Sequence, residues 1–420
     1  MEIVLSYGKG TQTARFPDDV LGELLLPRRQ ERSPSPVEET EAVRWALVEP
    51  VGTPPLSRLA EGKGPVAVVI SDITRPCPSF RILPPILEEL ERGGVADRDI
   101  FIISALGSHR RHTLEELRGL VGNAVFDRYA VTDAGAEGYI LLGHTPAGTP
   151  VEVDARVARA GLRVCTGNIE YHYFAGYSGG MKAILPGVCS RNTIRANHRH
   201  MTEPGARAGQ LDGNPVREDL ESAAALCPAD FLLNVVLDEK KRVIFAAAGD
   251  AIAAHRQGCR FLDNVYGSPC QRPGDIVVVS AGGRPKDLNL YQAQKALDNA
   301  KAAVRPGGIL ILAAECPEGL GEPTFEDWML KLSPREQLRC IREDFQLGGH
   351  KAAAIALVLQ KAQVFLVSSL PSAMVERMGL RPFLQVQDAL DAARRQLGER
   401  ASVTVLPYGS STLPLVKSPD

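Results

Sequence analysis

Val66-Ala-Val-Val-Ile70 runs straight into Ser71-Asp72-Ile73-Thr74-Arg75-Pro76. Five apolar residues without a polar break suit a strand buried on both faces of a parallel sheet, and the polar loop follows at its carboxyl end. The same signature recurs along the chain. Ile100–Ile103 runs into Gly107-Ser108-His109-Arg110, and Leu162–Cys165 into Thr166-Gly-Asn-Ile-Glu170. Asp275–Val279 leads to Ser280-Ala-Gly-Gly-Arg284-Pro285, Ile309–Leu312 to Ala-Ala-Glu315, and Val364–Val367 to a pair of serines. Helical patterns fill the gaps. Ile82–Arg92 holds one, with Pro84 and Pro85 placed at its first turn, where a missing N–H is harmless. Thr113-Leu-Glu-Glu116 is a capping box that opens a second. Asp287–Val304 is a third, closed by Arg305-Pro-Gly-Gly308. Strands alternating with helices give an α/β fold, read here as two α/β domains with mainly parallel sheets.

The domain boundaries expected from composition are 1–268 and 273–400, separated by the linker Gly267-Ser-Pro-Cys-Gln-Arg-Pro-Gly274. Residues 403–420 carry one more strand, free to return to the first domain. Arg28 to Glu41 is polar and Pro-containing and reads as an irregular loop. At 420 residues, two domains are the natural count. A net charge of −2 and 5% aromatic content give no footprint for nucleic acid or an anionic membrane. The eight cysteines are scattered and form no C-x-x-C pair, so neither a zinc ribbon nor a disulfide framework is expected. No basic, apolar leader opens the chain and no long apolar run occurs, which points to a reducing cytoplasm without a membrane partner.

Ligands of open α/β sheets sit beyond the carboxyl ends of the strands, so the polar residues of these loops are the site candidates. Pro76 forces Arg75 into an extended conformation, and a stiffened guanidinium suits capture of a carboxylate or phosphate. The plain alternative is a rigid turn in which Asp72 and Arg75 bridge each other. His109 lies between a strand end and a helix N-cap, where an anion is favoured. His112 stands immediately before the cap and is expected to be solvated.

Tyr171-His172-Tyr-Phe-Ala-Gly-Tyr-Ser178-Gly179-Gly180-Met-Lys182 concentrates the most chemistry. It is not a Walker A loop, since Met181 precedes the lysine and Ala183 follows it. The glycines still permit close backbone approach, and Lys182 stands in an apolar setting that lowers its pKa and favours a nucleophilic amine. Asn192–Met201 reads as a helix. His198 shares a face with Ile194 and Met201, whereas His200 is rotated about 200° from it. Only His198 therefore faces the interior. In the second domain Tyr291-Gln292-Ala-Gln-Lys295 places Gln292 and Lys295 together on a helix. His350, after Gly348-Gly349, is a weaker candidate with no assigned role.

The ordered set Asp72-x-Thr74-Arg75-Pro76, Gly107-x-His109-Arg110, His172-x-Phe-Ala-Gly-x-Ser-Gly-Gly-x-Lys182-x-Ile-x-Pro-Gly187, Asn197-His198 and Tyr291-Gln292-x-x-Lys295 resembles the nickel-dependent lactate racemase family. The resemblance implies a two-domain enzyme whose interdomain cleft holds a nickel-pincer nucleotide, a pyridinium mononucleotide with two sulfur-containing arms. It implies that Lys182 is joined to that group, that His198 binds the nickel, and that Asp72, Ile73, Thr74 and Arg75 with Ser178, Gly179 and Gly180 line it. His109 and His172 would be the two proton carriers. Arg75, Gln292, Lys295 and Tyr291 would bind substrate, a 2-hydroxy acid. Cofactor-biosynthesis and nickel-insertion proteins would be partners. Two other readings of the same residues stand beside it: a zinc- or nickel-dependent hydrolase built on His109, His172 and His198, and a carrier of nickel or cofactor that does not turn over.

Overall fold

Each of the six apolar runs forms a parallel strand in the computed structural model, which describes residues 1–27 and 33–416. The chain divides into two compact units, Gln30–Asn264 and a second made of Met1–Arg29 with Val265–Asp420. Both are α/β units with mainly parallel sheets.

In the unit Gln30–Asn264 the sheet runs Ala130–Asp133, Ile100–Ala105, Val66–Ser71, Leu162–Asn168, Phe231–Leu237, Val243–Gly249. Numbered by their succession within this sheet, the order is 3-2-1-4-5-6. Neighbours are parallel except the last pair, which is antiparallel. The connection therefore changes direction between Val66–Ser71 and Leu162–Asn168, and the crevice beyond their carboxyl ends is where such sheets bind ligands. Val66–Ile70 and all of Phe231–Leu237 are buried, as strands covered on both faces must be. Ile82, Leu83, Ile86 and Leu90 of helix Ser79–Arg92 pack in the same core as Val66, Val68 and Ile70. Each such side chain contributes roughly 1.5–3 kcal/mol by leaving water.

That helix starts at Ser79, earlier than the sequence pattern indicated, so Pro84 and Pro85 stand in its interior rather than in its first turn. The two missing N–H groups weaken the ladder, and the buried apolar face outweighs the loss. The expected loop Arg28–Glu41 is also corrected. Residues 28–32 lie outside the described residues, and a helix begins at Pro36. Ser35 accepts from the backbone of Glu38 while the Glu38 side chain accepts from the Ser35 N–H, a capping box with Pro in the first turn.

The second unit holds the sheet Arg381–Phe383, Gln363–Val367, Val304–Ala313, Gly274–Ser280, Val403–Leu406, Leu21–Leu24, parallel throughout. The division differs from the expected one at both ends of the chain. Val403–Leu406 inserts beside Gly274–Ser280 in this sheet instead of joining the other unit, and the N-terminal Leu21–Leu24 forms its edge. The supposed linker contains strand Gly267–Cys270, paired with Leu413–Val416. A two-stranded pair tolerates Pro269, which would be excluded from a sheet centre. The helix over Leu290–Ala300 gives way to strand at Val304, so Arg305-Pro-Gly-Gly308 interrupts a ladder rather than closing a helix. Register jumps there from Gly274–Val304 to Ile276–Ile309. All eight cysteines are free thiols. No helix among the described residues is long and apolar enough to cross a membrane.

Candidate active site

At the switch point of the first-described sheet lies a pocket of about 780 Å³, part of it open to solvent. Asp72, Arg75, His109, His172, Lys182 and His198 all line it. The residues come from separate strand ends and turns, and the sheet order brings them to one place.

Asp72 follows Ser71 at the end of its strand and is buried. It does not bridge to Arg75. One carboxylate oxygen pairs with His109 Nδ1, and the other accepts from Thr74 Oγ1 at 2.8 Å. Burial alone would raise the Asp72 pKa, but the hydrogen bonds from His109 and Thr74 and the charge of Arg75 outweigh it and leave the carboxyl below its ordinary value. An ionised Asp72 accepts only, so His109 Nδ1 carries a proton, and in the neutral ring the lone pair is on Nε2. His172 is set the other way. Its Nδ1 accepts from the Ala175 N–H at 3.3 Å, so in the neutral ring the proton is on Nε2. Burial, followed by the nearby Lys182 and Arg75 charges, holds His172 well below the usual histidine range. In their neutral forms the two rings thus present opposite faces to the pocket, a lone pair at His109 Nε2 and an N–H at His172 Nε2.

Lys182 follows two glycines at positive φ, 74° at Gly179 and 62° at Gly180. Side chains cannot be added there. A Cβ at Gly179 would come 2.5 Å from Asn234 Oδ1, and one at Gly180 2.8 Å from the His255 ring. The turn is pinned from below: Gly180 N–H donates to Asn234 Oδ1 at 2.7 Å, and His255 Nε2 donates to the Ser178 carbonyl at 2.8 Å. The Ser178 hydroxyl, expected to face a ligand, lines the pocket but is engaged with the backbone of Asn168 and Glu170. Lys182 Nζ lies 5.7 Å from the Phe174 ring centre. Among the described residues its amine has no carboxylate partner. Burial first, then the cations Arg217 and Arg75, lower its pKa well below that of an ordinary lysine.

Helix Arg191–His198 presents Ile194 and His198 inward as its phase requires, and both line the pocket. His200 falls on the 3-10 turn that follows and pairs with Glu203. Among the described residues no three His, Cys, Asp or Glu side chains converge on a metal-sized site. His109, His172 and His198 therefore do not make a zinc centre by themselves.

Two groups went unread in the sequence. His112, expected in solvent, has a side chain only 1% exposed. Its Nδ1 donates to Asp133 at 2.6 Å and its Nε2 accepts the Ile73 N–H at 3.1 Å, tethering the loop that carries Asp72 and Arg75. Ile73 itself is 45% exposed. Arg217 is fully buried and donates to the carbonyls of Ala175 and Tyr177, bracing the approach to the Lys182 turn. In the second unit, Gln292 and Lys295 lie on one exposed face of their helix, as their spacing requires. Tyr291 is half-buried, its ring edge-on to Phe325 and beneath Lys351 Nζ at 3.9 Å. His350 is buried and accepts the Gly348 N–H at 2.9 Å, a local turn contact.

Residues 7–209 match the family described as the lactate racemase N-terminal domain, and 270–413 match the lactate racemase C-terminal domain. A lactate racemase of Thermoanaerobacterium thermosaccharolyticum is 33% identical over 98% of this chain and 98% of its own. One from Lactiplantibacillus plantarum is 33% identical over 97% of this chain and 98% of its own. The structure of the lactate racemase apoprotein from T. thermosaccharolyticum superposes with a TM-score of 0.86, at 32% identity and full coverage of both chains. A Thermotoga maritima protein of 19% identity, TM-score 0.59 over 93% of this chain, shares the fold.

Proposed function

This chain belongs to the lactate racemase family and is an isomerase, and we propose that it inverts C2 of a 2-hydroxy carboxylate, lactate or a larger acid, with a nickel-pincer nucleotide bound at the sheet's switch point. The observation that carries the reading is the pair of oppositely prepared imidazoles, His109 and His172, lining one pocket with the buried amine of Lys182.

The residues fit such a group. Arg75 lines the pocket without bridging to Asp72, which pairs with His109, so its guanidinium suits an anionic ligand. Among the described residues no three His, Cys, Asp or Glu side chains converge on a metal-sized site, so a metal held by His198 would bring its other ligands with it. Bound there, the group would supply a hydride acceptor for a C–H bond too weakly acidic for direct removal by histidine.

Lys182 would hold the group through its amine, whose pKa burial lowers, which favours the nucleophilic neutral form. His198 would donate to nickel. The loop Asp72, Ile73, Thr74 and Arg75 and the turn Ser178, Gly179 and Gly180 would line the group. Arg75 would also anchor the substrate carboxylate, and Gln292, Lys295 and Tyr291 are proposed as further substrate-binding residues. His109 Nε2 would accept the hydroxyl proton of one enantiomer, becoming an imidazolium, while His172 in its imidazolium form would return a proton through Nε2 to the keto oxygen. For the other enantiomer the roles reverse. Cofactor-biosynthesis and nickel-insertion proteins would load the site in the cytoplasm.

The test is isotopic. Enzyme loaded by co-expression with the cofactor-biosynthesis proteins is given one enantiomer of lactate deuterated at C2 in ordinary water. Internal hydride return predicts scrambled configuration with deuterium kept at C2. Washout of the label to solvent hydrogen would replace this mechanism with proton abstraction.

A further inference from the structure

A nitrogen that is to hold a metal must carry a lone pair, and in a neutral imidazole only one of two nitrogens does. The partner of the other nitrogen decides which. For His198 that partner is the residue before it: Nδ1 lies 3.0 Å from Asn197 Oδ1. Seen alone, the Asn197 amide could present either end, so this contact would not fix the ring. The structure removes the ambiguity. Asn197 is completely buried, and its other terminal atom faces two acceptors, the Val216 carbonyl at 3.1 Å and Asp219 Oδ2 at 2.8 Å. Only an NH2 group can satisfy both, so the oxygen must face His198, and the His198 Nδ1 must donate.

The carboxylate is itself held in place. Asp219 stands on helix Pro215–Ser222 and is 4% exposed. Thr149 Oγ1 donates to Oδ2 at 2.8 Å and Thr145 Oγ1 donates to Oδ1. These hydroxyls flank the turn between strands Tyr139–His144 and Pro150–Asp154. We propose that Asp219 and Asn197 are positioning residues that lock His198 with its proton on Nδ1 and its lone pair on Nε2. This relay rests on the reading of His198 as the nickel donor for its purpose, but not for its existence.

The test separates the two. Full-length apoprotein labelled with 15N-histidine is examined by long-range 1H–15N correlation, which reads the tautomer of each ring. Wild type should show His198, assigned by its loss in His198→Gln, in the Nδ1-protonated form. Asn197→Leu removes the acceptor and should move a measurable fraction of His198 to the Nε2-protonated form. Asp219→Asn keeps the shape, relaxes the hold on the amide and should give a smaller shift in the same direction. Thr149→Val, which leaves both acceptors facing the amide, should keep the wild-type pattern. In cofactor-loaded protein, nickel retained after a chelator challenge should fall on the order of tenfold in Asn197→Leu, with the covalent adduct on Lys182 unchanged by intact mass. An Nε2-protonated His198 in wild type, or an unchanged tautomer in Asn197→Leu, overturns the relay. The expected tautomers in a protein that takes up no nickel would support the relay and overturn the nickel reading.

Discussion

Two histidines with different hydrogen-bond partners carry the chemistry proposed here, and their difference is a property of single atoms. His109 Nδ1 is directed at Asp72, and His172 Nδ1 accepts from a backbone N–H. In the proposed scheme racemisation needs both rings in every turnover, one accepting as the other donates. Replacing either should therefore depress both directions together. His109→Gln and His172→Gln are each expected to lower kcat by about 10²–10⁴-fold for both enantiomers, the usual contribution of a positioned acid or base. Initial rates from each pure enantiomer check this. A variant that keeps near-wild-type rates in both directions would reduce that histidine to a structural part of its loop.

Loops in this site are held by groups outside them, and the His112 tether shows how. Its ring joins the Asp72–Arg75 loop to Asp133, the last residue of strand Ala130–Asp133. His112→Phe fills similar space but leaves the Ile73 N–H unpaired and takes a donor from a buried carboxylate. A stability loss of about 2–4 kcal/mol is expected in urea unfolding, with KM raised more than kcat is lowered because the loop proposed to anchor substrate loosens. Unchanged KM would mean that the loop holds itself. The sequence could not show this tether, because it depends on a strand and a loop meeting 21 and 39 residues away from the histidine. Local signals were readable: the Thr113 capping box, the phase that turns His198 inward, and the apolar runs that became strands. The Ser35–Glu38 capping box was equally local but lay hidden in a Pro-rich polar stretch. The helix start at Ser79 and the placing of Leu21–Leu24 beside Val403–Leu406 were set by tertiary burial, which overrides local pattern.

Across the whole molecule, buried histidines make the fold sensitive to acid. His172 and His255 are held well below their ordinary 6.5, mainly by burial, and His350 in the other unit is pushed down to about 3 for the same reason. In the unfolded chain each ring titrates near 6.5, whereas in the folded protein each stays neutral to lower pH. Below 6.5 the unfolded state therefore binds more protons, so ∂ΔG/∂pH is positive and stability falls as the pH falls. The contribution of each ring is full above 6.5 and is lost progressively as pH drops toward its folded value. Each fully engaged histidine adds a slope of about 1.4 kcal/mol per pH unit. Urea unfolding of the apoprotein between pH 7.5 and pH 5 should show midpoints that are nearly level at the upper end and decline steadily below 6.5. Because the three rings are divided between the two units, both should weaken, and a probe in each would register it. His350→Phe, which removes one proton site from the second unit, should flatten the decline reported there and leave that of the other unit unchanged. Midpoints that stay constant down to pH 5 would mean that these imidazoles take up protons inside the fold, and the neutral resting state assigned to His172 would fall with them.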